Sequence, residues 1–151
     1  MQKITTFLTY NDQAEAAAKL YTSIFKNSKI TSTMPGPNGT VMGLNFDLDG
    51  QSFIALNGGP SFSFEQGISL FVTAETQPEI DELWERLSDG GQALQCGWLK
   101  DRFGVSWQVV PPVLAKLLGD KDAGRRKRVF EAMMKMTKID IALLQAAYDG
   151  R

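Results

Sequence analysis

The chain has 151 residues, enough for one domain with its own core, and its 43% hydrophobic and 22% charged content is that of an ordinary folded protein. Its net charge of −1 gives nucleic acid or an anionic membrane no electrostatic reason to bind. Histidine is absent, which removes the commonest general base and the commonest neutral metal ligand.

Residues 4–10 are β-branched and aromatic and predict a strand. Asp12-x-x-Glu15 follows as a capping box, with Asp12 accepting from an orphan N–H and Glu15 reaching back. Ala17, Leu20, Tyr21, Ile24 and Phe25 recur at helical spacing and give a helix one apolar face. After a loop at 35–39, Met42, Leu44, Phe46 and Leu48 alternate with smaller or polar residues, as a half-buried strand should. Asp49-Gly50 predicts a two-residue hairpin turn, since both positions tolerate positive φ. The returning strand is 52–57, closed by Gly58-Gly59-Pro60.

The order then repeats. Residues 68–73 predict a strand and Thr76-x-x-Glu79 a second capping box, with Ile80, Leu83, Trp84 and Leu87 as the helix's apolar stripe. Gly90-Gly91 ends that helix with a left-handed cap. Residues 92–99, the turn Asp101-Arg102-Phe103-Gly104 and residues 105–110 predict a second hairpin, stopped by Pro111-Pro112. In the tail, 112–118 predicts a helical turn and 125–136 a helix. Asp140 caps a last helix on which Ile141, Leu144 and Tyr148 share a face. The run Arg125 to Arg128 fans around its helix and reads as a solvated surface.

These elements predict an α+β fold of two βαβββ modules, 3–60 and 66–111, within a single domain spanning 1–151. Neither module buries its sheet face alone, so the pair is expected to form a curved half-barrel sheet around a core or ligand cavity. The helical tail, 112–151, is expected to pack across the domain or onto a second subunit. The single cysteine, Cys96, cannot form an internal disulfide, the first residues lack a signal peptide's apolar core, and no stretch reaches a membrane span. The expected location is the cytoplasm.

Three blocks resemble one family: Ile4-Thr5-Thr6-Phe7-Leu8 with Gln13-Ala14-Glu15-Ala16-Ala17 and Tyr21; FIALNGGP at 53–60; and QCGWLKDRFGVSWQVVP at 95–111. With KIDIALLQAAY at 138–148, they make the chain similar to the vicinal-oxygen-chelate (glyoxalase/bleomycin-resistance/dioxygenase) superfamily. Within it the match is to the PhnB-like branch named for a 3-demethylubiquinone-9 3-methyltransferase domain, tail included. The resemblance implies paired βαβββ modules in a homodimer. It also implies a divalent metal held by His, Glu or Gln on inner strands, at regions that here carry Thr5 to Phe7, Ile68-Ser69, Leu56-Asn57 and Gln108. Gln108 stands where the family's acid commonly follows the D-x-F-G turn. With no imidazole or carboxylate beside it, the expected affinity for a transition metal is poor, and no cofactor is assigned.

Asn57, Ser69 and Gln108 are the candidate polar groups for a ligand, and Trp98 and Trp107 the candidate indole faces, with core packing as the alternative for both tryptophans. Cys96 reads as a small core residue in a strand, and Lys100, Asp101 and Arg102 as solvated turn residues, Asp101 shaping the turn. Phe62 and Phe64 read as a lid or a docking surface. The expected function is a PhnB-like homodimer that binds a small, partly apolar molecule without a tight metal, its partners being itself and that ligand, with no nucleic acid and no membrane. A metal-dependent enzyme of the glyoxalase or dioxygenase kind is one alternative, with Gln108 and Asn57 as weak ligands. The named methyltransferase is the other, although no Gly-rich strand-to-helix turn for S-adenosylmethionine is present.

Overall fold

The computed structural model describes residues 3–151 and divides into two compact units, Met1–Ser63 and Phe64–Arg151. The first contains β1 (Thr6–Tyr10), α1 (Ala14–Ile24), β2 (Lys29–Pro35), β3 (Val41–Leu48) and β4 (Gln51–Asn57). The second contains β5 (Leu70–Thr73), α2 (Gln77–Ser88), β6 (Gln92–Ala93), β7 (Trp98–Lys100) and β8 (Ser106–Val110), then α3 (Pro112–Leu118), α4 (Ala123–Met134) and α5 (Ile141–Asp149). The strand orders are β1-β4-β3-β2 and β5-β8-β7-β6, so the two sheets share one topology. In each, the first strand lies parallel to the last and the other pairings are antiparallel. The fold is α+β with a repeated βαβββ unit, and neither sheet closes into a barrel.

The first unit's core follows from alternation along β3 and β4. Leu44, Phe46, Leu48, Phe53 and Ala55 are buried on one face, with the Phe46 and Phe53 rings stacked at 5.3 Å. α1 meets that face with Ala14, Ala17, Ala18 and Tyr21, small residues that let the helix approach the sheet closely. The buried Tyr10 hydroxyl donates to that of Tyr21 at 3.2 Å. Asp49 and Gly50 take φ of 49° and 80°, the left-handed pair a two-residue hairpin needs. β2 escaped the alternation test because nearly every residue on it is exposed, as an edge strand can be.

The start of α1 differs from expectation. Its N-cap is Gln13, with no side-chain cap of its own, and the Asp12 box does not form. Asn57 acts in its place, its Oδ1 accepting from Ala14 N at 2.9 Å while its Nδ2 donates to Val41 O at 3.3 Å. A residue distant in sequence thus satisfies a helix donor that local pattern assigned to Asp12. At Thr76 half of the expected box forms: Thr76 Oγ1 accepts from Glu79 N at 3.3 Å, while Glu79 Oε2 reaches back one residue further, accepting from Glu75 N at 3.1 Å.

The tail packs on its own unit. Leu114, Leu117, Val129, Met136, Ile139 and Leu144 are buried together with Val110 of β8. The arginine run ties these helices to one another. Arg126 Nη1 donates to Asp120 O at 2.7 Å, and Arg128 donates to Ala147 O and Tyr148 O at 2.8 and 2.9 Å. Arg125 lies 4.6 Å from the Tyr148 ring centroid. All three arginines of the run make such contacts, and the surface they form is still largely solvated as expected, Arg125, Lys127 and Arg128 being exposed and Arg126 half-buried.

Candidate functional site

The segment expected to be one strand, 92–99, folds back on itself. Cys96 and Gly97 take left-handed φ of 60° and 82°, so β6 and β7 become an antiparallel pair around a tight turn. Left-handed backbone is unusual for a residue with a Cβ and persists where the surroundings hold it. Here the tail does so: Cys96 N donates to Met136 O at 2.9 Å and Gly97 N to Thr137 O at 2.7 Å. Cys96 is thus a half-buried turn residue, not part of a strand core, with its Sγ 3.6 Å from Met134 Sδ.

The β7–β8 turn is built on Asp101, which is 2% exposed, not solvated. Its Oδ1 accepts from Phe103 N and Val105 N at 2.9 and 3.0 Å, and its Oδ2 from Trp107 Nε1 at 2.9 Å. One carboxylate therefore closes the turn and fixes the Trp107 indole inside the unit. Trp107 and its cross-strand neighbour Leu99 belong to the buried face covered by α2 through Ile80, Leu83 and Leu87.

The opposite face carries the other candidates. Gln108 is paired in register with Trp98 on β7 and with Phe71 on β5, and paired residues share a face. Gln108 Nε2 donates to Ser69 Oγ at 3.0 Å, leaving the Gln108 carbonyl oxygen without a partner among the described residues. Ser69, Trp98 and Gln108 are all half-buried and come together here. Asn57 stands beside Tyr10 on the helix-covered side of the first sheet, both ends of its amide engaged as described.

Trp98 also lines an open cavity of about 560 Å³ with Gln66, Ala93, Leu94, Gln95 and Thr137. Sequence reasoning found Trp98 but missed the other five. Four lie in polar or loop-like stretches with no periodicity, and Thr137 belongs to the tail. Phe62 is exposed. Its ring lies over Gly58, where an added Cβ would come within 2.9 Å of it.

The donor set does not fit a transition metal. Among the described residues no three His, Cys, Asp or Glu side chains gather, and the Asn57 carbonyl already accepts the α1 N–H. Gln108 alone offers one neutral oxygen, a weak ligand for such ions. Among the described residues there is no Gly-rich strand-to-helix turn for S-adenosylmethionine either. Gly58-Gly59 leave β4 for a turn at Pro60, and the next helix, α2, begins only after β5.

The model of the 3-demethylubiquinone-9 3-methyltransferase family matches residues 2–110. It stops before α3, so the tail block at 138–148 lies outside the match expected for it. Among solved structures, the PhnB protein of Bacillus cereus is 38% identical, covering 73% of this chain and 99% of that one with a TM-score of 0.69. The protein PA1353 of Pseudomonas aeruginosa is 19% identical over 74% of this chain and 98% of that one, with a TM-score of 0.61. The fosfomycin resistance protein FosX of Listeria monocytogenes is 16% identical over 79% and 98%, with a TM-score of 0.59. At the last two identities the likeness is one of fold. No curated protein matches the chain.

Proposed function

Since the chain belongs to the 3-demethylubiquinone-9 3-methyltransferase family, with a PhnB protein among its relatives, we propose that it binds a small, partly apolar molecule without a tightly held metal. The observation that carries this reading is the convergence of Trp98, Gln108 and Ser69 on one sheet face, with Trp98 also lining the cavity. The indole offers a flat apolar surface, and the unpartnered Gln108 oxygen accepts from a ligand N–H or O–H. Ser69 holds the Gln108 amide in place, so the polar group is positioned before the ligand arrives. The protein acts as a homodimer in a reducing cytoplasm, a reading supported by the exposed Phe7 and Phe71 on the edge strands β1 and β5 and by the single free cysteine.

The test is solvent extraction of untagged protein followed by mass spectrometry. A stoichiometric small molecule that is lost from Trp98→Ala and Gln108→Ala supports the reading. The same molecule retained at full occupancy in both variants overturns it. Metal analysis of the untagged protein addresses the glyoxalase or dioxygenase alternative, and stoichiometric Ni, Zn, Mn or Fe would favour it. Calorimetry with S-adenosylmethionine addresses the methyltransferase implied by the family's name; the expected result is no heat of binding.

A further inference from the structure

We infer that the C-terminal tail, which the family model does not include, forms one wall of the ligand cavity and restricts it to uncharged planar molecules that carry an amide-like edge. This rests on the binding role proposed for Trp98 and Gln108 and adds to it both the ligand class and the element that selects it. The link around Thr137 and the chemistry of the lining support it.

Thr137, in the link between α4 and α5, is a cavity residue, although everything else on the lining comes from before residue 99. That link is held rigidly. Gln77 on α2 brackets it, donating to Ile139 O at 3.0 Å and accepting from Ile141 N at 2.8 Å, and Lys138 pairs with Asp81 at 2.8 Å. The Met136 and Thr137 carbonyls receive the Cys96 and Gly97 N–H groups of the turn that carries Gln95 and leads into Trp98. One turn with left-handed backbone at Cys96 thus ties the tail to the segment that supplies Gln95 and Trp98, the supported first layer that selective binding needs.

The lining chemistry names the ligand. It comprises one indole, two apolar side chains (Ala93 and Leu94), two carboxamides (Gln66 and Gln95) and one hydroxyl, with no charged group. An ionic ligand finds no counter-charge in the lining, whereas a flat ring bearing C=O and N–H finds a stacking face and complementary amides. Lys138, the adjacent cation, is committed to Asp81.

The probe is 2-quinolone, a neutral flat lactam, titrated calorimetrically into the full chain beside 2-naphthoate (flat, anionic) and cyclohexanecarboxamide (neutral, not flat). The expected Kd for 2-quinolone is about 0.1–1 mM, a fragment-sized affinity, with each control at least ten-fold weaker. Thr137→Phe keeps the backbone carbonyl that holds Gly97 but puts a ring at the tail wall of the cavity, and should weaken binding at least ten-fold. Thr137→Ser should not. If Trp98→Ala and Gln108→Ala lose binding while Thr137→Phe keeps it, the tail has no selecting role and the ligand-binding reading stands. If 2-naphthoate binds as tightly as 2-quinolone, the uncharged ligand class is wrong. If all three variants bind like wild type, this inference and the reading beneath it both fail.

Discussion

Asp101 offers the sharpest test of how the β7–β8 hairpin presents Trp98 and Gln108. Asp101→Ala strands three donors. Val105 N and Trp107 Nε1 belong to residues 4% and 2% exposed, where water does not replace the lost acceptor. Each such donor costs about 1–3 kcal/mol, and the half-buried Phe103 N adds a smaller amount. The expected loss is about 3–5 kcal/mol, a large part of an ordinary domain's stability. Asp101→Asn is more discriminating. Its amide oxygen keeps the two backbone bonds, but its NH2 meets the Trp107 N–H donor to donor, at a cost of about 2 kcal/mol. Pairing it with Trp107→Phe, which removes that N–H, should make the double variant less destabilised than the sum of the singles by about 1 kcal/mol. Urea unfolding followed by tryptophan fluorescence measures all of these, with about a 1 M midpoint shift expected for Asp101→Asn from a typical m-value. If Asp101→Asn unfolds with the wild type, or the cycle shows no coupling, the carboxylate does not organise this turn.

Three further outcomes are expected. Asn57→Ala removes the acceptor for Ala14 N and should lower stability by about 1 kcal/mol, as loss of a cap does, while Asp12→Ala should change little; thermal melts of the two compare them. Gly91→Ala places a Cβ against the Lys100 carbonyl oxygen and within 2.7 Å of the Asp101 carbonyl carbon, so it should yield little folded protein, as judged by soluble expression and circular dichroism. Acid should loosen the tail. The Lys138 ammonium, with Gln77, holds the Asp81 carboxyl below its ordinary 3.8, and the Asp122 N–H with the Tyr148 hydroxyl does the same for Asp120. Carboxyls depressed in the folded state stabilise it fully above 3.8, and that contribution is lost as the pH falls through their lower folded values. Digestion by an acid protease across this range should cut the tail progressively, and the double variant Asp81→Asn with Asp120→Asn should flatten the pH dependence. An unchanged profile in that variant would place the acid sensitivity elsewhere.

The sequence by itself determined the twofold repeat of strand, helix and hairpin, the Asp49-Gly50 turn, the Thr76 cap and the tail helices, but not the exposed edge strand β2 or the split of 92–99 into β6 and β7. Each feature so determined is a local matter of side-chain period, turn chemistry or helix-end bonding within a few residues. Tertiary structure decided what local pattern does not encode: that Asn57 caps a helix 43 residues away in sequence, that Asp101 is buried under Trp107, and that Cys96 turns left-handed to meet Met136. Polar groups take partners wherever packing brings a donor and an acceptor together, and that depends on the whole fold. Trp98 and the Gln108–Ser69 pair were legible as candidates because indoles and amides on strands stand out. Gln66, Gln95 and Thr137 were not, since only the folded chain brings three unremarkable loop residues to one cavity.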